Sequence, residues 1–233
     1  MESLRVPDKQ MLTCMYAIVD YSAKRLNMRP LYPVTYKDIA AVVGTTSKER
    51  LTFDQQAAIE YGATLEALNE KFTLLPCRFG TFLQDESAVL QVLQEHYFFY
   101  KKKLEELRGK QEFGLKILSE KSVQVHNANN KKQCKDGKEY LLQKFYEYRA
   151  DEERKRVNQK TVDVIHEELQ KLSSMSVKNV EISGHVFFNC NYLVEKKTES
   201  FFCSKVEALQ GMYPELKFLL TGPWPPYNFV TEN

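Results

Sequence analysis

The apolar positions of this chain change period several times, and the changes predict a mixture of strands and helices. Met11–Asp20 is a short apolar run that suits a buried strand, and Val34–Val43 is a second, closed by Gly44. Thr52-Phe53-Asp54-Gln55 has capping-box spacing, and behind it Ala58, Tyr61, Leu65, Leu68 and Phe72 recur at helical intervals. Thr73-Leu74-Leu75 reads as a third, short strand. Asp85 can cap the next helix. There Leu90, Leu93, Tyr97, Tyr100, Leu104 and Leu107 alternate spacings of three and four as one continuous stripe. Phe98 and Phe99 fall off that stripe, which leaves them to pack under a neighbouring domain or to mark a partner surface.

Gly109 interrupts the helical pattern, and a domain boundary is expected there. Beyond it, Glu112–Leu118 reads as a strand, and a long helix is expected from near Asp136 to Leu172. Strands follow at Val180–Ile182 and Val186–Val194. Thr198 can cap a helix carrying Phe202, Val206, Leu209 and Tyr213, and Leu216, Phe218 and Leu220 alternate on a final strand. The order βαββαβ is that of a ferredoxin-like sandwich. The first half reads as strand-strand-helix-strand-helix. The expected fold class is α+β with two domains, 1–108 and 109–222, the second ferredoxin-like, and an extended proline/aromatic tail at 223–233.

The long helix has two apolar stripes: Leu141, Phe145 and Tyr148, then Val162, Ile165, Leu169 and Leu172. Between them lies Arg149-Ala150-Asp151-Glu152-Glu153-Arg154-Lys155-Arg156, which cannot be core on any side. Roughly 36 helical residues would span about 54 Å, so part of the helix must project into water. Residues 110–160 hold 13 basic and 8 acidic side chains, a surplus of 13 − 8 = +5. That suits a solvated face with mixed ion pairs or a docking surface for an acidic partner. Lys121–Lys135 reads as a polar loop.

The last stretch, Thr221–Val230, holds the only tryptophan among three of the eight prolines. Proline fixes φ and lacks an N–H, so a stiff ribbon is expected, neither helix nor central strand, entered by a turn at Gly222-Pro223. Trp224, Tyr227 and Phe229 on such a backbone must dock onto something. Either the ribbon straps the protein's own domains, with Trp224 buried, or it awaits a partner.

Composition narrows the function classes. With 33 basic against 31 acidic residues, the net charge of +2 gives no whole-chain case for nucleic acid. No apolar run approaches the roughly 18 residues of a membrane span, and the N-terminus lacks a basic-then-apolar signal pattern. Cys14, Cys77, Cys134, Cys190 and Cys203 form no C-x-x-C pair and read as reduced cytosolic thiols. His96, His126, His166 and His185 lack metal-ligand spacing. Gly44-Thr45-Thr46-Ser47-Lys48 lacks the spacing of a phosphate loop. No catalytic constellation and no cofactor site are expected. The most site-like piece is Leu75-Pro76-Cys77-Arg78-Phe79-Gly80-Thr81. There Cys77 or Arg78 could meet a ligand. Alternatively the piece is a tight crossover, with Gly80 relieving strain and Arg78 pairing with an acid across the domain interface.

Three pieces carry a resemblance: Leu75–Thr81, Gly137-Lys138-Glu139-Tyr140-Leu141, and the Gly-Pro-Trp-Pro-Pro-Tyr-x-Phe tail. With Glu112-Phe113-Gly114-Leu115-Lys116 between the first two, their order and spacing resemble the GvpL/GvpF family of gas vesicle proteins, from near Thr13 to Val230. The family pattern has a His-Glu pair in the helix before the Pro-x-Arg-Phe-Gly-Thr piece, where this chain has Tyr61-Gly62. The resemblance implies a non-enzymatic accessory protein localised to the gas vesicle, an intracellular organelle. It would assist assembly or shell structure by binding the small hydrophobic shell subunit and other accessory proteins. Neither nucleic acid nor membrane is an expected partner. Arg78, Phe79, Gly80, Phe98, Phe99, Tyr140, Trp224, Tyr227 and Phe229 are the candidate structural or interaction residues. The alternative is a small-ligand regulatory module of paired ferredoxin-like domains, which would need a concave pocket with convergent polar groups.

Overall fold

The computed structural model describes residues 11–22, 25–47, 54–119, 137–179 and 186–230. The chain divides into two compact units, Met1–Gln111 with Trp224–Asn233, and Glu112–Pro223. The C-terminal residues thus group with the first unit.

In the first unit, β1 (Met11–Asp20) is flanked by β3 (Ile39–Ser47) on one side and by β4 (Leu74–Pro76) and β5 (Phe82–Leu83) on the other. β2 (Tyr32–Tyr36) pairs with β3 at the edge, giving the order β2-β3-β1-β4. The run expected to be one strand over Val34–Val43 is a hairpin. It reverses at Lys37-Asp38, where Lys37 takes φ 51°, and β3 continues through Gly44 to Ser47 instead of ending there. A two-residue hairpin loop needs positive φ. Asp38 holds the turn by accepting from the Tyr97 hydroxyl at 2.7 Å and pairing with Lys101.

Helix α1 (Gln55–Lys71) starts at Asp54, whose carboxylate accepts from Ala57 N–H at 2.8 Å. Thr52, the expected start of the capping box, lies outside the described residues. The α1 stripe Tyr61, Leu65 and Leu68 packs on Ala17, Val19, Ala40, Val42 and Leu74 from the sheet. The continuous helix expected through Leu90 and Leu107 is two helices, α2 (Glu86–Glu95) and α3 (Tyr97–Leu107), parted at His96. Leu93, Leu104 and Leu107 are buried as the stripe predicts, with Val89 in place of Leu90. Neither proline nor glycine marks the break, and nothing in the structure explains it.

The second unit has the order β6 (Lys110–Ser119), α4 (Gly137–Gln170), β7 (Met175–Lys178), β8 (Val186–Glu195), α5 (Glu199–Met212) and β9 (Leu216–Trp224), in one sheet ordered β7-β8-β6-β9. Its core joins Phe113, Leu115 and Ile117 of β6 to Val162, Ile165 and Leu169 of α4 and Phe202, Val206 and Leu209 of α5. His166 is buried there, its Nδ1 2.8 Å from the Tyr192 hydroxyl. Burial first, and then the charge of Lys178, hold its pKa below the usual histidine value against the pull of Asp163 and Glu167.

Three expectations change here. The strand preceding β8 runs over Met175–Lys178, antiparallel to β8, and the stretch expected to form it, Val180–Ile182, lies outside the described residues. Thr198 does not cap α5 with its side chain, which donates back to the Glu195 carbonyl at 3.1 Å. The final strand does not stop before a turn at Gly222-Pro223 but continues through Trp224, with a short 3₁₀ turn at Tyr227–Phe229. β9 is an edge strand, where a residue without an N–H is tolerated.

Candidate functional site

The crossover after β4 is built around one phenol. Residues Arg78–Thr81 form a β-turn: Thr81 N–H and Thr81 Oγ1 both donate to the Arg78 carbonyl, at 3.1 and 2.7 Å. Gly80 has φ 87°, the left-handed value that the third residue of a type II turn requires. Cys77 N–H donates to the Tyr16 carbonyl at 2.8 Å and Met15 N–H to the Thr81 carbonyl at 2.9 Å, so both ends of the turn are tied to β1. Beneath it lies Tyr61 of α1. Its hydroxyl donates to the Cys77 carbonyl at 2.9 Å, with the Tyr16 and Met15 carbonyls at 3.2 and 3.4 Å. Its ring stacks on Tyr16 at 5.0 Å and meets Phe79 at 5.3 Å.

The thiols and the central phenol of this cluster stay protonated at neutral pH. Burial pushes the Cys77 thiol up to about 12 and the Cys14 thiol up to about 11, the latter opposed by a hydrogen bond to Tyr16. Burial also raises Tyr61, helped by nearby Cys77, Cys14, Tyr227 and Tyr16. Thiols that stay protonated at neutral pH are poor nucleophiles and poor metal ligands. Tyr61→Phe keeps the ring and removes the donor. It should therefore lower stability by about 1–3 kcal/mol, measured by chemical denaturation, because buried carbonyls lose their partner.

The structure brings some predicted site residues together and separates others. Phe79 and Gly80 sit on the Tyr61 cluster, and Tyr227 of the C-terminal stretch lies near enough to help raise the Tyr61 pKa. Arg78 is exposed. Trp224 is 38% exposed, against the expectation of substantial burial; Pro225, Pro226 and Phe229 are the buried residues of the ribbon. Phe98 is 83% exposed, whereas Phe99 is half-buried beside Tyr100 at 5.7 Å. Tyr140 is exposed on α4 in the second unit.

Phe98 belongs to a patch that pattern reading missed. Lys37 Nζ lies 4.2 Å from the Tyr97 ring centroid, 5.2 Å from Tyr36 and 5.8 Å from Phe98. Tyr36 and Tyr97 meet edge to face at 5.6 Å. Tyr36 and Tyr97 are far apart in the chain, and only the unforeseen hairpin turn joins them. A shallow hollow lies beside Thr13, Tyr32, Thr45 and the Asp85 end of α2. Among the described residues, no three His, Cys, Asp or Glu side chains converge as metal ligands, and no helix is long and apolar enough to cross a membrane.

The family model for gas vesicle synthesis protein GvpL/GvpF matches residues 13–231. The chain belongs to the GvpL/GvpF family. Among its relatives, gas vesicle protein F1 of Halobacterium salinarum is 26% identical over 203 residues, covering 86% of this chain and 81% of that protein. Gas vesicle protein L of a Streptomyces species is 25% identical over 192 residues, covering 78% and 71%. The crystal structure of GvpF from an Anabaena species superposes with a TM-score of 0.74 at 20% identity, covering 96% of this chain and 97% of that one. GvpF from Microcystis aeruginosa gives 0.72 at 19%, covering 96% and 100%. These two likenesses extend the shared fold over nearly the whole chain. Within this GvpL/GvpF chain, the Tyr61 hydroxyl supplies the donor that secures the Arg78–Thr81 turn.

Proposed function

We propose that this GvpL/GvpF protein is a non-enzymatic accessory component of the gas vesicle that binds the hydrophobic shell subunit and supports assembly or shell structure. The observation that carries the reading is the open aromatic surface at Phe98. An exposed phenylalanine on a rigid helix, beside two further rings and a cation, is a low-entropy anchor for an apolar partner. A subunit prone to aggregate through apolar surface needs partners that cover it. Other gas vesicle accessory proteins are the next partners this reading implies.

The second unit has the βαββαβ element order and the strand order β7-β8-β6-β9, which support a ferredoxin-like sandwich as a separate domain. The buried Pro225, Pro226 and Phe229 support a ribbon that serves the free protein's own fold. Phe98→Glu places a charge at the anchor without touching the core. It is expected to reduce affinity capture of co-expressed shell subunit by about tenfold or more while leaving the melting temperature unchanged. Undiminished capture would remove Phe98 from the interface.

A further inference from the structure

Among the described residues His166 is the only buried histidine, 6% exposed on the core side of α4. β8 meets it with the Phe188 ring at 5.5 Å, the Tyr192 hydroxyl 2.8 Å from Nδ1 and the Cys190 thiol 3.9 Å from the same atom. Neither of those two groups can take up charge near neutral pH: burial raises the Tyr192 phenol and pushes the Cys190 thiol up to about 11. β6 brings Leu115 and Ile117 to this core, and α5 brings Phe202 and Val206. α5 also adds the partly buried Tyr213 and Cys203, the latter raised by burial as well. On α4 itself Asp163 and Glu167 favour a charged ring, but the ring makes no hydrogen bond to a carboxylate among the described residues.

The cation at this junction comes from β7. Ser176 lies opposite Tyr192 and Lys178 opposite Cys190 in the β7–β8 register, so Lys178 leaves the strand on the α4 side. Its Nζ is 6.0 Å from the centre of the Phe188 ring and 3.8 Å from the Asp163 carboxylate of α4. His166 and Lys178 thus share the Phe188 ring. A proton on His166 adds a second cation to that ring, inside a core that desolvates it. β7 is the element with least to hold it. It has four residues, none of them fully buried, and β8 is its one strand neighbour at the edge of the sheet. α4, by contrast, is fixed through Val162, Ile165 and Leu169.

We propose that a proton on His166 releases β7 from β8, so that mild acid makes β8 the edge of this sheet. The inference is independent of shell binding. The folded ring binds its proton less readily than a free imidazole, whose pKa is about 6.5, and the opened form therefore takes the proton up first. β7 pairing keeps its full stability above about pH 6.5 and loses it as pH falls below that value. Carboxylates, ordinarily near pH 4, stay charged across this window.

Amide hydrogen exchange on the full chain, corrected for the pH dependence of the intrinsic rate, reads the opening. From pH 7.5 to 5.5 the protection of the Met175–Lys178 amides should fall about three- to tenfold, ten being the limit for one proton at one pH unit below 6.5. At pH 5.5 their exchange should not respond to low urea, the mark of a local opening, whereas β6 amides should respond. His166→Gln should remove the pH dependence. In the wild type, the His166 ring resonance followed by NMR should titrate below 6.5, and Lys178→Met should bring it closer to that value. Titration at or above 6.5 overturns the proposal. So does β7 protection that is flat with pH, or an equal acid loss in His166→Gln. Urea dependence in β7 equal to that in β6 would mean that the whole unit unfolds, and the release of β7 fails. Should His166→Gln not fold, the wild-type titration and Lys178→Met decide alone.

Discussion

Phe229→Ala should lower the stability of the isolated protein by about 3–5 kcal/mol, the usual cost of truncating a buried aromatic side chain. Phe229 is 3% exposed, and Pro225 and Pro226 before it are buried. Trp224, larger but 38% exposed, should lose clearly less on truncation to alanine. Urea denaturation of the two variants provides the ranking. Because residues 224–233 group with the first unit, the loss should appear in the transition that unfolds that unit when the transitions of the two units separate. A partner-only tail would give no loss for either variant. A larger loss for Trp224→Ala would reverse the assignment of the anchor.

The second large effect belongs to the second unit. Gly222 sits at φ 117°, a conformation that L side chains rarely adopt. A Cβ there would also stand 2.7 Å from the Glu112 carbonyl oxygen and 3.1 Å from Phe113 Cδ1. The Glu112 oxygen is backbone of β6, the neighbouring strand, so relief requires the sheet edge itself to move. Gly222→Ala should therefore cost about 2–4 kcal/mol through backbone strain and the forced shift together. Thermal denaturation with far-UV circular dichroism measures it. A loss below about 0.5 kcal/mol would mean that the β6–β9 approach is looser than described. Gly114 meets the same constraint from the other direction: its absent Cβ leaves room for Thr221 Oγ1 and Asn191 Oδ1, which would lie 2.9 and 3.2 Å away. The glycines of the Glu-x-Gly-x-Lys strand and of the Gly-Pro-Trp-Pro-Pro tail thus serve one strand contact.

Elements with a clean period were legible in the sequence. The α1 and α5 stripes, β1, β6 and β8 all follow from apolar spacing, because one face of each meets a core. The Lys37-Asp38 reversal was hidden because a two-residue turn without glycine leaves only a short polar break between apolar flanks. β7 was missed because Met175–Lys178 is only half-buried at most and shows little alternation. In the site, Gly80 and Thr81 announced the turn through their own chemistry. Tyr61 did not, since a tyrosine on an apolar helical stripe is read for its ring. The carbonyls its hydroxyl reaches lie on β1 and beyond β4, 16 to 46 residues away. Sequence also marks which tail residues are large but not which of them finds a pocket, which is why Phe229 and not Trp224 is the buried ring.

The central claim, that this GvpL/GvpF protein binds the hydrophobic shell subunit, is tested most directly by affinity capture. The tagged full chain and the untagged shell subunit are co-expressed, the chain is captured from the soluble fraction, and the amount of subunit retained is measured by quantitative mass spectrometry. The account predicts retention well above that of an unrelated tagged protein of similar charge. Retention no greater than that control, while a known partner pair is captured in parallel, would contradict it.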